Sequence, residues 1–230
     1  MTKPLAVVLL SGGMDSCVVA AVAAQEFRLA LLHISYGQRT ERKELECFHG
    51  IADALRPEHR LVLRFDHFKT IGGSSLTDRS MEVPSGEQLD GQIPSTYVPF
   101  RNAGFLSTAV SWGETIGAKA VFIGAVEEDS SGYPDCSEVF LSAFQETVNN
   151  GIRPDHVIAI KAPLLHMTKD KIVRLGVSLG APLDLTWSCY KAEDYACGMC
   201  ASCLLRLAAF SRADINDPIP YQQGEPQKTS

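Results

Sequence analysis

The apolar run Leu5-Ala6-Val7-Val8-Leu9-Leu10 ends in Ser11-Gly12-Gly13-Met14-Asp15-Ser16, and an Ala- and Val-rich stretch follows, from Asp15 to Gln25. A run with no polar alternation reads as a strand covered on both faces, as in a parallel sheet. Parallel neighbours need a crossover, and the Asp15–Gln25 stretch supplies a helix for it. Between them, two glycines let the backbone turn tightly and come close to a ligand. The free amides and positive end of the helix then face an anion, and the Ser11 and Ser16 hydroxyls add donors. The loop has no lysine, so it is not the triphosphate loop that ends in Gly-Lys-Ser/Thr. The plainer reading is a glycine turn with Asp15 or Ser16 capping the helix.

The alternation continues along the chain. Strands are expected at Leu29–Ile34, Arg60–Phe65, Lys119–Gly124 and Val157–Lys161. Helices are expected at Thr40–Leu55, with Leu45, Phe48, His49 and Ala52 near one face, and at Asn102–Ile116, Ser137–Asn150, Thr168–Leu179 and Ala201–Phe210. Thr168 is the expected N-cap of its helix. This order predicts an α/β fold, a doubly wound and mostly parallel sheet, with a small helical C-terminal region. The expected division is residues 1–186 and 187–230, with a loosely held polar tail from Asp214. Residues 66–95, rich in Gly, Ser and Pro, form a long functional or disordered break. In a doubly wound sheet, ligands sit beyond the carboxyl ends of the strands. Ser11-Gly12-Gly13, Ser35-Tyr36-Gly37, Gly124-Ala125 and Lys161 should therefore meet.

The formal charge of -6 and pI near 5.5 argue against broad nucleic-acid binding. The Leu5–Leu10 run is too short to span a membrane and lacks a cleavage site, which makes the cytoplasm the expected location. There the seven cysteines should stay reduced unless they hold metal or do chemistry. Cys189, Cys197, Cys200 and Cys203 follow C-x7-C-x2-C-x2-C, a spacing suited to a closed structural zinc site of four thiolates. An iron–sulfur cluster or redox chemistry would use the same ligands. Cys17, Cys47 and Cys136 are isolated, and the first two fit buried core positions.

Two further segments carry chemistry. Pro94-Ser95-Thr96-Tyr97-Val98-Pro99-Phe100-Arg101-Asn102 combines stacking rings with hydrogen-bonding groups, which suits a flat heterocycle or serves as a proline-rich helix entry. The loop after the fourth strand places Glu127, Glu128, Asp129 and Asp135 together, for a metal, an amine or water. Lys161 at a strand end is a phosphate candidate. Lys169 and Lys171 could be the same or could be solvated.

The Ser11–Ser16 loop resembles the pyrophosphate loop of the ATP pyrophosphatases, a group that includes NAD synthetase, GMP synthetase, asparagine synthetase and tRNA-modifying enzymes. That loop, Tyr97–Asn102, the Asp129–Asp135 loop and the four cysteines together resemble the 7-cyano-7-deazaguanine synthases, over the chain up to about residue 215. The resemblance departs mildly at Phe100, where Gly or Ala is common, and this leaves pocket detail open.

The resemblance implies an adenine-nucleotide α-hydrolase-like fold. It also implies ATP as a substrate, Mg²⁺, structural zinc, free ammonia as the nitrogen donor, a deazaguanine substrate and a homodimer. On it, Leu9, Leu10, Ser11, Gly12, Gly13, Met14, Asp15, Ser16, Cys17, Val18 and Val19 would contact the nucleotide. Asp15 and Lys161 would be catalytic, and Tyr97, Arg101, Asn102, Asp129 and Asp135 would meet the substrate. A tRNA thiolase of the same superfamily would need catalytic cysteines and a basic surface. A non-catalytic zinc-stabilised nucleotide-binding module would not cleave ATP.

Overall fold

The computed structural model describes residues 2–85, 93–127 and 132–222. The elements are β1 (Leu5–Leu9), α1 (Met14–Glu26), β2 (Arg28–Ser35), α2 (Glu41–Leu55), β3 (His59–Arg64), α3 (His67–Ile71), α4 (Arg101–Ile116), β4 (Ala120–Phe122), α5 (Glu138–Gly151), β5 (Ala159–Lys161), α6 (Lys169–Ser178) and α7 (Ala201–Arg212). All five strands pair in parallel, in the order β3-β2-β1-β4-β5. The chain winds outward from β1 to β3, then returns to β4 and β5 on the other side. The gap between the carboxyl ends of β1 and β4 is the switch point where such sheets bind ligands.

The sheet separates two apolar layers, because side chains alternate along each strand. Ala6, Val8 and Leu10 face α1, α2, α6 and α7, whereas Leu5, Val7 and Leu9 face α4 and α5. This double burial is why β1 carries no polar residue. Phe48 and Ile51 of α2 are fully buried, each worth roughly 1.5–3 kcal/mol over exposure. The face of α2 is turned slightly from the expected one: Cys47 is buried in it and His49 is exposed. α7 contributes Ala209 and Phe210 to the same core as β1. Thr168 stands at the N-cap of α6, but its hydroxyl makes no capping bond.

The segment after Asp214 is held through Gln222, contrary to expectation. Asp217 forms an ion pair with buried Arg206 and accepts from the Tyr221 hydroxyl at 2.7 Å. Ala196 and Tyr221 form a parallel bridge. A buried charge partner and two backbone bonds outweigh the polarity of the tail.

Candidate active site

A cavity of about 320 Å³ opens at the switch point. Leu9, Leu10, Ser11, Gly13, Met14, Asp15 and Ser16 line it, with Ile34 near the end of β2, Tyr36 just after β2 and Ile123–Val126 after β4. Gly12, Cys17, Val18 and Val19 are not among the lining residues. Cys17, Val18 and Val19 are fully buried in the core, where they anchor α1.

The loop is braced from within and behind. Gly12 has φ +93°, and a Cβ there would lie 2.5 Å from the Glu44 carbonyl oxygen. The Trp187 amide donates to the Gly12 carbonyl at 2.9 Å. Ser16 Oγ donates to the Gly13 carbonyl (3.0 Å) and lies 3.1 Å from Ser11 Oγ. Ser11 Oγ accepts from the Gly13 amide at 3.2 Å. The hydroxyls therefore shape the loop; of the first-turn amides of α1, that of Cys17 donates to the Gly13 carbonyl at 3.1 Å, and those before it have no carbonyl four residues back within the helix, which suits an anion. Below it, His33 is fully buried. Its Nδ1 lies 3.1 Å from the Leu10 carbonyl, which can only accept, so Nδ1 carries the proton and Nε2 accepts from Ser35 Oγ at 3.3 Å. Burial lowers the His33 pKa to about 4.

Asp15 Oδ2 accepts from the Lys169 ammonium at 2.6 Å. Asp15 Oδ1 is buried with no hydrogen-bond partner. A buried, unpaired carboxylate oxygen beside a phosphate loop fits a Mg²⁺ ligand. The cation at this loop is Lys169, not Lys161. The Lys161 ammonium lies 5.1 Å from the Phe27 ring and 5.6 Å from the Phe122 ring. Lys161 pairs with Phe122 within the sheet and shares its face, so its side chain turns under α1 instead of past the strand ends.

The middle segment divides in two. Arg101 lines the cavity, donating to the Tyr36 hydroxyl at 2.8 Å with its guanidinium over the Tyr36 and Phe105 rings. Asn102 also lines it, but is tied to Asp135: its amide nitrogen donates to Asp135 Oδ2 at 2.9 Å and its Nδ2 to the Asp135 carbonyl at 3.2 Å. Asp135 is buried outside the cavity lining and caps α4, whose N-cap residue, Phe100, offers no side-chain acceptor. Tyr97 also lies outside the lining, and its hydroxyl accepts from the Phe100 amide at 2.9 Å. Phe100 has φ +58°, the left-handed region that favours glycine. Asp129 lies outside the described residues.

The four cysteine sulfurs lie within 4.8 Å of one another, with Cys197 and Cys203 Sγ 3.9 Å apart. Thiolates about 2.3 Å from a tetrahedral zinc stand about 3.8 Å apart. The amides of Lys191, Ala192 and Cys197 each reach Cys189 Sγ at 3.4 Å, and those of Met199 and Cys200 reach Cys197 Sγ at 3.5 and 3.4 Å. The thiols of Cys200 and Cys203, followed by the Cys197 and Lys191 amides, hold Cys189 far below the ordinary thiol range. The set fits a closed metal site. By contrast, burial raises Cys17 to about 12 and Cys47 and Cys136 to about 11, leaving them inert as nucleophiles.

Trp187, Ser188, Cys189, Tyr190, Ala201, Ser202, Leu205 and Arg206 extend from this cysteine cluster to form one wall of the cavity. Glu44 projects into it from α2. Neither this wall nor Glu44 was legible in the sequence. The faint signals were Tyr36 just past a strand end and a carboxylate at the head of an amphipathic helix. Among the described residues, no helix is long and apolar enough to cross a membrane.

The family described as "Queuosine biosynthesis protein QueC" matches residues 5–214. The 7-cyano-7-deazaguanine synthase of Chlorobium phaeobacteroides is 60% identical over 220 residues, covering 95% of this chain and 97% of that protein. That of Acidobacterium capsulatum is 53% identical over 220 residues, covering 94% and 96%. Among solved structures, the NMN synthetase from Francisella tularensis matches 80% of this chain and 64% of its own at 14% identity with a TM-score of 0.46, too distant to carry an argument. A family match over residues 5–214, and relatives above half identity over 94–95% of the chain, make this protein a member of the QueC family of queuosine biosynthesis.

Proposed function

We propose that this chain converts 7-carboxy-7-deazaguanine and ammonia to 7-cyano-7-deazaguanine, with cleavage of ATP to AMP and diphosphate. The observation that carries the reading into this cavity is the Asp15–Lys169 pair at the mouth of a lysine-free phosphate loop. It supplies a fixed cation and an unpaired carboxylate oxygen where diphosphate charge develops.

The substrate carboxylate oxygen attacks the α-phosphorus of ATP, and diphosphate leaves. Ammonia attacks the acyl carbon, AMP leaves with the oxygen and a proton is lost, giving the amide. The amide oxygen is adenylated by a second ATP. Loss of AMP and of the remaining nitrogen protons then leaves the nitrile. The α1 amides hold diphosphate, Lys169 offsets its charge and Arg101 lies on the substrate side. Mg²⁺, held by Asp15, would neutralise phosphate charge. Zinc on Cys189, Cys197, Cys200 and Cys203 would fix the Trp187–Tyr190 wall. Positioning supplies most of the remaining effect. A free-ammonia donor, a homodimer without nucleic-acid partners and a cytoplasmic location belong to the same reading.

The test is direct. The chain is incubated with ATP, Mg²⁺, 7-carboxy-7-deazaguanine and ammonium, and AMP, diphosphate and product mass are followed. Substrate-dependent AMP and the nitrile mass are expected. ATP left intact, or a thiolated product, would sink the reading.

A further inference from the structure

We infer that Glu44 is the specificity residue of the cavity, a carboxylate that accepts the paired N–H donors on the guanine-like edge of the substrate. This inference rests on the reading above and adds the residue that would select the heterocycle.

The argument starts from how Glu44 is held. Both of its oxygens are fixed by buried side chains. Gln38 Nε2 donates to Oε2 at 2.9 Å and Thr40 Oγ1 to Oε1 at 3.0 Å. Gln38 cannot turn the other way, because its Oε1 accepts the Tyr36 amide at 2.8 Å. Gln38 and Thr40 are 4% and 3% exposed. Each oxygen keeps a second lone pair, and the side chain lines the cavity beside Tyr36, Leu76, Phe105 and Tyr190. A rigid acceptor fork between apolar and aromatic walls suits the edge of a flat heterocycle.

Of the other charged groups of the cavity, Asp15, Lys169 and Arg206 are held in ion pairs, while Arg101 keeps a buried Nε that is unpartnered among the described residues, and its charge opposes part of the effect of burial on Glu44. Asp15 is the second carboxylate among the described lining residues. Arg101 donates to Tyr36. Helix capping does not explain Glu44 either. It sits in the first turn of α2, but among the described residues its bonds go to two side chains and to no backbone amide. Burial raises its pKa to about 7, and a ligand that donates two hydrogen bonds would favour the charged form that burial disfavours. A 7-deazaguanine has such an edge, with N1–H beside the 2-amino group. A carboxylate would repel phosphate, which keeps the nucleotide tail at the loop.

The experiment measures binding of 7-carboxy-7-deazaguanine and of its analogue without the 2-amino group to the whole chain and to Glu44→Gln, by calorimetry. Wild type should prefer the amino compound by roughly 10- to 100-fold, the worth of a hydrogen bond to a charged group. In Glu44→Gln that preference should fall to within a few-fold, because the amide opposes a donor with a donor. ATP affinity and melting midpoint control for folding, and Glu44→Asp, which keeps the charge but retracts it, should fall between the two. An undiminished preference in a folded Glu44→Gln would overturn the inference. So would a raised KM for ammonium with the preference intact, which would make Glu44 an ammonium site. If wild type binds neither compound, the proposed function itself fails, and this inference with it.

Discussion

The Lys169 ammonium sits 2.6 Å from Asp15 Oδ2, joining the first turn of α6 to the first turn of α1 across 154 residues. The two helices lie side by side on one face of the sheet, so their N-terminal ends converge at the phosphate loop. Lys169→Met and Asp15→Asn should each lower AMP formation by roughly 10²–10³-fold, the usual cost of one preorganised charge-stabilising group. Lys161→Ala should leave turnover near wild type, since its ammonium rests on Phe27 and Phe122. Steady-state assays of the three variants separate the two lysines.

Gly12→Ala should cost about 1–3 kcal/mol from backbone conformation alone. The added methyl also meets the Glu44 carbonyl oxygen at 2.5 Å, so loop and α2 must part. Denaturant unfolding should show the loss, and calorimetry should show weakened ATP binding.

Removing the metal should do more than destabilise. Cys189, Tyr190, Ala201 and Ser202 belong both to the cysteine region and to the cavity wall. A strong chelator, or Cys203→Ser, should release bound metal, lower the melting midpoint and weaken ligand binding together. Metal analysis alongside thermal melts checks this, and a metal-free chain with unchanged binding would contradict it.

His33 should make the protein acid-labile. Its folded pKa, lowered by burial to about 4, lies under the ordinary 6.5. Stability from the neutral ring is thus complete above pH 6.5 and is lost as pH falls toward 4. Glu44 has the opposite sign: raised from 4.5 to about 7, it contributes fully below pH 4.5 and loses its contribution as pH rises to 7. Melting curves from pH 4 to 8 should show His33→Gln flattening the acid limb. Glu44→Gln should gain on wild type between pH 4.5 and 7.

Arg206 and Asp217 form an ion pair with side chains 1% and 5% exposed. Asp217→Ala strands the guanidinium and should cost about 3–5 kcal/mol. Urea melts measure it. A change under 1 kcal/mol would show that Thr186, Ser188 and the Leu183 carbonyl, which also accept from Arg206, suffice.

The order of strands and helices was legible in the residues alone. Period-two and period-3.6 apolar patterns report burial locally, and β1 is apolar throughout because it is covered on both faces. The Ser11–Ser16 glycine loop and the spacing of the four cysteines were legible too, because in each the residues lie within a short stretch of chain. Which distant side chains join them depends on how the elements pack. Lys161 and Lys169 are equal as lysines near the end of a strand and the start of a helix. Register turns the first under α1, and helix packing aims the second at Asp15. Glu44 reads as one of several charges on an amphipathic helix until α2 is seen against Gly12. The segment after Asp214 reads as a polar tail until Arg206 supplies its buried partner. A periodic pattern tells a residue which face it occupies, but the neighbour on that face is set by chain crossovers, and those exist only once the sheet has formed.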